Sequence, residues 1–250
     1  MTRFVMLSDT HIGGRGKLSD IKVPDGDVLL HAGDHTWTGV YEEVVTALDW
    51  LESLPHKHKY FVAGNHDFLF DESYPDGHQF RTWTIRRPES VADLLAKYPS
   101  IQYLQDQSAE VEGFKIYGAP WQPWYHNWAF QLPGGLKEPW NRYSEIKHDR
   151  EGAAKIWAKI PDDTQILITH GPPLGIMDKA DDLNKLGCPE LANRIGDLKK
   201  LKLHLFGHIH EGYGHETMAD FNNGDIVHFV NAAICNGSYY PVNKPIVVDL

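Results

Sequence analysis

Short apolar runs alternate along the chain with amphipathic segments, and each run ends in polar residues. Apolar runs at residues 3–8, 27–31 and 59–63 predict strands. An apolar face of helical period predicts a helix over residues 40–54, which Pro55 ends. Strand, helix and strand therefore alternate, which is typical of α/β folds. These folds place their ligands at the carboxyl ends of the strands.

The rest of the chain continues this pattern less regularly. Glu112-Gly113 predicts the turn of a hairpin, and Pro189 stands at the first position of a predicted helix. The further predicted helices cover residues 91–98, 148–160 and 189–200, and the further predicted strands cover residues 101–104, 109–112, 115–119, 165–169, 202–206, 225–231 and 244–249. Residues 70–88 are expected to be an excursion from the fold, and residues 121–140 an ordered loop. We find no repeat or linker in the sequence, so we expect one domain over residues 1–250.

The composition excludes several classes of protein. The chain has 250 residues, with 34 acidic and 24 basic side chains and a formal net charge of −10. Its basic residues are scattered, so we expect neither stable nucleic-acid binding nor a membrane-surface role. Its apolar runs are shorter than a membrane span of roughly 18 residues or a signal-peptide core of about 7–15. The two cysteines, Cys188 and Cys235, cannot form a disulfide framework, which favours a reducing compartment and a cytoplasmic location.

Polar residues with metal-binding side chains cluster where the predicted strands end. The five clusters are Asp9-Thr10-His11, Gly33-Asp34, Gly64-Asn65-His66-Asp67, Thr169-His170 and Gly207-His208-Ile209-His210. Leaving Asp67 aside, they offer two carboxylates, one carboxamide and five imidazoles, which is more than one metal ion can use. Two ions about 3.5–4 Å apart that share a carboxylate would use nearly all of them.

Each cluster alone has an ordinary alternative explanation. A single histidine at a strand end is more often a hydrogen-bonded polar residue than a ligand, and Gly33-Asp34 alone is simply a turn. Gly-Asn-His-Asp is more specific, and Gly-His-x-His is stronger still, because the glycine lets the backbone approach a metal. The five clusters in this order, each closing a predicted strand, favour a dinuclear metal site.

The set resembles the motif signature of the calcineurin-like metallophosphoesterase superfamily, which reads DxH, GD, GNH(D/E), H and GHxH. Longer segments, at residues 118–123, 170–175, 206–214 and 241–246, resemble the MPPED-type metallophosphodiesterases. Some animal members of that branch lack a histidine of the GHxH motif and are weak catalysts. This chain keeps both His208 and His210, so we expect a competent site.

The resemblance implies an α/β (α+β) fold of two packed mixed β-sheets flanked by helices, with two metal ions at the rim. It implies that Asp34 bridges the two ions. The remaining ligands are Asp9, His11 and His210 for one ion and Asn65, His170 and His208 for the other. It further implies that His66 faces the phosphate as a catalytic residue. Asp67 follows it and is expected to fix its tautomer.

The charge of such a site agrees with this resemblance. Two divalent ions and the carboxylates of Asp9 and Asp34 sum to about +2, which would attract an anionic phosphoester to an otherwise acidic chain. A water shared by the ions would have a lowered pKa and would attack phosphorus in line. Whether His66 acts as an acid or as a neutral donor stays open.

Four further residues are candidates for contact with the substrate. His35 follows Asp34, Trp121 and Trp124 can stack a nucleobase, and Asn231 ends a predicted strand. Packing within the protein is the more common role for such side chains.

The sequence thus predicts a dinuclear metal-dependent phosphoesterase, most consistent with a phosphodiesterase for cyclic nucleotides or simple phosphodiesters. The alternatives are a phosphomonoesterase and a metal- or nucleotide-binding scaffold with little turnover. We expect two divalent transition-metal ions, with Mn²⁺ first and Fe, Zn, Ni or Co also compatible with mixed nitrogen and oxygen ligands. A small phosphodiester or nucleotide is the expected partner, and the oligomeric state is left open.

Overall fold

Two mixed β-sheets lie face to face and carry helices on their outer surfaces. The computed structural model describes residues 1–73, 88–124, 126, 128–135, 147–180, 185–219 and 224–250. The strands, in chain order, are β1 (Arg3–Leu7), β2 (Val28–His31), β3 (His58–Phe61), β4 (Ile101–Tyr103), β5 (Gln107–Val111), β6 (Phe114–Ala119), β7 (Gly134–Gly135), β8 (Lys147–His148), β9 (Ile166–Thr169), β10 (Leu203–Phe206), β11 (Gly214–Ala219), β12 (Ile226–Asn231) and β13 (Ile246–Asp249). The helices are α1 (Tyr41–Ser53), α2 (Val91–Leu95), α3 (Arg150–Trp157) and α4 (Pro189–Asp197).

Both large sheets are parallel in the middle and antiparallel at an edge. The first has the order β13-β1-β2-β3-β4, and only the β13 edge pairs antiparallel among these five strands. The second has the order β11-β12-β10-β9-β6-β5, with antiparallel pairs at both edges. β7 and β8 form a separate two-stranded ladder. The expected fold of two mixed sheets flanked by helices is confirmed.

Successive side chains of the central strands point alternately into two different apolar clusters. In β1, Phe4 and Met6 join the apolar cluster between the two sheets, while Val5 and Leu7 join the cluster under α1. Successive side chains of a strand point to opposite faces, so a strand covered on both sides must be apolar throughout. The carboxyl ends of such strands are therefore rigidly held.

The helices cover the outer faces of the sheets. α1 packs the face of Val44, Leu48 and Leu51 on the first sheet, and all three are at most 2% exposed. On the second sheet, α3 buries Trp157 and α4 buries Leu191 in the same cluster. None of the helices in the described part of the chain is long and apolar enough to cross a lipid bilayer.

The elements depart from the sequence pattern in a few places. The turn at Glu112-Gly113 is confirmed, and both residues have the positive φ angles of +49° and +84° that a tight hairpin turn requires. Strand β11 was not predicted, because its sequence is mostly polar and it lies at an exposed edge. α2 ends at Leu95, sooner than its apolar pattern suggests. Of the predicted excursion and loop, residues 74–87, 125, 127 and 136–140 lie outside the described residues.

Candidate metal centre

The polar clusters after five strands meet at one end of the two sheets. β1, β2 and β3 of the first sheet supply three of these clusters, and β9 and β10 of the second sheet supply the other two. The meeting residues are Asp9, His11, Asp34, Asn65, His66, His170, His208 and His210. The six of these residues that precede His208 in the sequence are at most 5% exposed, and His208 and His210 are half-buried. The site therefore has a buried floor and a partly open side.

Four of these residues have backbone conformations that non-glycine residues seldom adopt. Asp9, His11, Asp34 and His208 have positive φ angles of +54°, +42°, +53° and +66°. Such angles cost energy and persist where the surrounding structure holds them, often at functional sites. Close packing explains the glycine before Asn65, since a Cβ at Gly64 would overlap the Asp34 carboxylate.

One group of possible ligand atoms is formed by Asp9, His11 and His210. The Nε2 atom of His210 lies 3.3 Å from Asp9 Oδ1 and 3.3 Å from His11 Nε2. The Nε2 atom of His11 lies 3.9 Å from the same Asp9 oxygen. Two imidazole nitrogens and a carboxylate oxygen thus surround one small space, which suits a metal ion.

A second group is formed by Asp34, Asn65, His170 and His208. The Nε2 atom of His170 lies 3.4 Å from Asp34 Oδ1 and 2.9 Å from Asn65 Oδ1. The other oxygen of Asp34, Oδ2, lies 3.8 Å from His11 Nε2 in the first group. Asp34 therefore faces both groups, as a bridging carboxylate must.

The outer ring nitrogens of three histidines are held by backbone carbonyls. Nδ1 of His170 donates to Ala32 O at 2.8 Å, and Nδ1 of His210 donates to Asn236 O at 2.9 Å. Nδ1 of His66 donates to Trp37 O at 2.7 Å. Donation from Nδ1 leaves the lone pair of Nε2 directed at the centre, which is how proteins prepare a histidine to bind a metal. The residues present therefore fit metal ions.

The pKa values of the site are shifted strongly and in opposite directions. Burial lowers the pKa of His11 and of His208 to about 3, so both rings are neutral at pH 7. Burial also opposes protonation of His170, but the charge of Asp34 outweighs it and raises its pKa to about 9. Burial raises the pKa of Asp9, but His210 outweighs this and lowers it to about 2. The negative charge that holds a proton on His170 would equally hold a metal cation.

His66 lies against both groups. Its backbone N–H donates to Asp34 Oδ1 at 2.8 Å, and its Nε2 atom lies 4.0 Å from Asp34 Oδ2. Its ring centroid is 4.5 Å from that of His11. With His11 and Asp34 it forms a third group whose atoms could hold an ion, so the distances fit a ligand as well as a group that faces a substrate.

Asp67 does not contact the His66 ring as the sequence suggested. Its carboxylate accepts five hydrogen bonds, from His35 N and Nδ1, Thr36 N and Oγ1, and Gly64 N. The backbone turns after His66, so the Asp67 side chain points back under the loop that follows β2. The expectation that it fixes the His66 tautomer is wrong, because the carbonyl of Trp37 does so.

Three of the four candidates for substrate contact have partners within the protein. His35 is 2% exposed and stacks on His31 with ring centroids 3.8 Å apart. The indole of Trp121 donates to Asp106 Oδ1 at 2.8 Å. The expectation that Asn231 faces the pocket is wrong, because its side chain is fully buried. Its amide donates to the backbone carbonyl of Ile209 at 2.9 Å, and Ile209 lies between His208 and His210. Trp124 is half-buried, and its role stays a prediction.

Three aromatic residues near the site had not been identified from the sequence. Trp37 lies 5.6 Å from the His66 ring, and Trp128 lies 4.5 Å from it on an edge. Tyr239 lies 4.9 Å from the His11 ring. They come from three separate loops, and no regular spacing marks them. The one available signal was the Asn236-Gly237 pair, which is typical of a tight turn and stands just before Tyr239.

Comparisons with known proteins agree with the metal-binding geometry of the site. Residues 2–212 match the family described as calcineurin-like phosphoesterase. The chain is 42% identical to human metallophosphoesterase domain-containing protein 1 over 258 residues, covering 100% of this chain and 71% of that protein. It is 36% identical to a UPF0046 protein of Caenorhabditis elegans, covering 99% of this chain and 80% of that protein.

A solved crystal structure shares the fold. It aligns with a TM-score of 0.55 at 15% identity, over 92% of this chain and 90% of its own. Sequence family, relatives and metal-ligand geometry agree. The chain belongs to the calcineurin-like phosphoesterases, in the branch of metallophosphoesterase domain-containing protein 1.

Proposed function

We propose that this chain is a phosphodiesterase that uses two divalent metal ions to hydrolyse small phosphodiesters, such as cyclic nucleotides or simple aryl diesters. The observation that carries the proposal is the pair of ligand groups joined by Asp34. Asp9, His11 and His210 would hold one ion, and Asn65, His170 and His208 would hold the other. Mn²⁺ is the ion to test first.

When bound, such ions neutralise phosphoryl charge and lower the pKa of a coordinated water. The chain itself supplies position and charge. Buried Asp9 and Asp34, with the pKa of each lowered, stay ionised at neutral pH and fix where cations bind. The backbone carbonyls behind His170 and His210 prevent these rings from turning. This rigidity keeps the ligand atoms in place during the reaction.

His66 is the residue we assign to the phosphoryl group. Its Nδ1 proton is held by Trp37 O, so Nε2 is the atom that faces the centre. Carrying a proton there, it would donate to a phosphoryl or leaving-group oxygen. Without a proton on Nε2, the His66 ring still lies beside the first ligand group, with its centroid 4.5 Å from that of His11. The contribution of a positioned group of this kind is about 10²–10⁴ in rate.

Diesters are proposed over monoesters for a reason of charge. A monoester dianion would bind a centre of two cations very tightly in its ground state, which raises the barrier from bound substrate to transition state, whereas a diester carries a single negative charge. The name of the human relative describes a metallophosphoesterase domain without a substrate, so the preference rests on this argument and on the branch.

The test compares two esters with the same leaving group. The purified chain is freed of metal with a chelator and reloaded with Mn²⁺, and the turnover of bis(p-nitrophenyl) phosphate and p-nitrophenyl phosphate is measured at saturation. We expect metal-dependent hydrolysis with the diester faster. Asp163→Ala, at an exposed surface ion pair with Lys115, serves as the control variant and should leave both rates unchanged.

Other results would overturn the proposal. Faster monoester turnover would identify a phosphomonoesterase. Tight metal binding without turnover of either ester would identify a binding scaffold.

A further inference from the structure

Aromatic side chains from three loops lie against three imidazoles of the candidate metal centre, those of His11, His66 and His210. Trp37 follows β2, Trp128 lies between β6 and β7, and Tyr239 follows β12. The ring of Trp37 stacks on His66 at 5.6 Å and 30°, while that of Trp128 meets the same imidazole edge-on at 4.5 Å. We call these three residues the aromatic rim.

Tyr239 lies against the first ligand group. Its ring lies 4.9 Å from that of His11 and 5.4 Å from that of His210. It also meets Trp37 edge-on at 4.5 Å and 82°. The rim is therefore continuous from the first ligand group to His66, the residue assigned to the phosphoryl group.

Packing alone does not explain two of the three rings. Trp128 is packed against the core under α1, but Trp37 and Tyr239 belong to none of the three apolar clusters formed by the described residues. All three remain partly exposed to solvent. Tyr239 has a φ angle of +62°, a conformation that costs energy for a non-glycine residue.

The turn that presents Tyr239 is fastened to the centre itself. The carbonyl of Asn236 accepts both the N–H of Tyr239 at 2.7 Å and Nδ1 of His210 at 2.9 Å. The position of the ring is thus fixed relative to a candidate metal ligand. A side chain held in this way at the open side of the centre lies where an organic substituent of a bound ester must pass.

We infer that the aromatic rim selects esters whose second substituent, the one that is not the leaving group, is planar and aromatic, such as an aryl group or a nucleobase. This inference rests on the proposed function and narrows its substrate class. A planar group can stack on indole and phenol faces, whereas a small alkyl group cannot. Stacking of one base on aromatic side chains changes affinity by roughly 5- to 150-fold.

The test uses two diesters with one leaving group. Phenyl p-nitrophenyl phosphate and methyl p-nitrophenyl phosphate both release p-nitrophenolate, so the ratio of their kcat/KM values reports the second substituent. We expect Tyr239→Leu and Trp37→Leu each to lower the phenyl-to-methyl ratio by about 5-fold or more, with a smaller effect on the methyl ester. Tyr239→Phe keeps the ring and should keep the ratio. Tyr240→Leu, at an exposed neighbouring tyrosine, is the matched control and should also keep it.

A binding measurement separates this inference from the proposed function. Calorimetric titration with phenylphosphonate and methylphosphonate needs no turnover, and the phenyl compound should bind the wild-type protein more tightly than it binds Tyr239→Leu. An unchanged phenyl-to-methyl ratio in both leucine variants, by rate and by binding, would overturn the rim while leaving the phosphodiesterase intact. Absence of ester turnover with the binding preference retained would overturn the proposed function and support the rim.

Discussion

Replacing Asp67 with asparagine tests how the two loops that carry Asp34 and Asn65 are held in register. The carboxylate is fully buried, and its five hydrogen bonds come from both loops, those after β2 and β3. Burial raises the pKa of Asp67, but His35 and the Gly64 N–H outweigh burial and lower it below the ordinary value, so the group is charged at neutral pH. Asparagine has the same shape but replaces one acceptor oxygen with a donor.

The distances show which bonds survive. Oδ2 accepts His35 N, His35 Nδ1 and Gly64 N at 2.9–3.2 Å, so the amide oxygen of an asparagine would take this side. The amide NH₂ would then face the N–H of Thr36, which donates to Oδ1 at 3.0 Å, and two donors would meet. A buried donor without an acceptor costs about 1–3 kcal/mol, and the three retained bonds lose their charge. We therefore expect a loss of about 2–4 kcal/mol.

Two measurements test this loss of stability and its effect on metal binding. For a chain of this size, the midpoint of thermal unfolding should fall by roughly 4–16 °C in the metal-free protein. The affinity for Mn²⁺, measured by calorimetric titration, should fall by about 10–100-fold, as is usual when a residue that orients metal ligands is changed.

A destabilised variant away from the ligand loops gives the control. Leu191→Ala removes a fully buried side chain from α4 and should cost about 2–5 kcal/mol, yet leave the Mn²⁺ affinity unchanged. Equal loss of metal affinity in both variants would show that global stability governs binding and would refute the proposed role of Asp67 in holding the two loops. Normal stability and affinity in Asp67→Asn would also refute the role of Asp67 in holding the two loops.

Three further predictions address the centre directly. Asp34→Ala should reduce bound metal and activity together, because both ligand groups lose the carboxylate they share. Elemental analysis of the variant checks this expectation, and full metal content would contradict it. His66→Ala should keep its metal while turnover falls by about 10²–10⁴, most for poor leaving groups; loss of metal would instead identify His66 as a ligand. In the metal-free protein the pKa of His170 is raised to about 9 by Asp34 against burial, so its stabilising contribution is complete below pH 6.5 and is lost as the pH rises through 9. Calorimetry in chelator between pH 6 and 10 should show this loss in the wild-type chain and not in His170→Gln.

The candidate ligand side chains follow local signals in the sequence, and this is why the residues that meet at one end of the two sheets could be found in advance. Each polar cluster directly follows a buried strand, and parallel strands bring their carboxyl ends together. Asp9 and His11 after β1, and His208 and His210 after β10, illustrate this.

Contacts between loops could not be predicted in the same way. Asp67 follows His66 in the sequence, but its ring partner is His35, because the Asp67 side chain points back under the loop after β2. Trp37 and Tyr239 meet at 4.5 Å although about 200 residues separate them. Strand β11 escaped prediction for a different reason, since an exposed edge strand needs few apolar residues.

The most direct test of the whole account is the number of metal ions that the chain binds. The protein is stripped with chelator, reloaded with Mn²⁺ and dialysed, and metal and protein are measured in the same sample together with hydrolysis of bis(p-nitrophenyl) phosphate. The geometry of two ligand groups joined by Asp34 predicts about two ions per chain, with activity lost on chelation and restored on reloading. One ion or fewer per chain at full activity would contradict it.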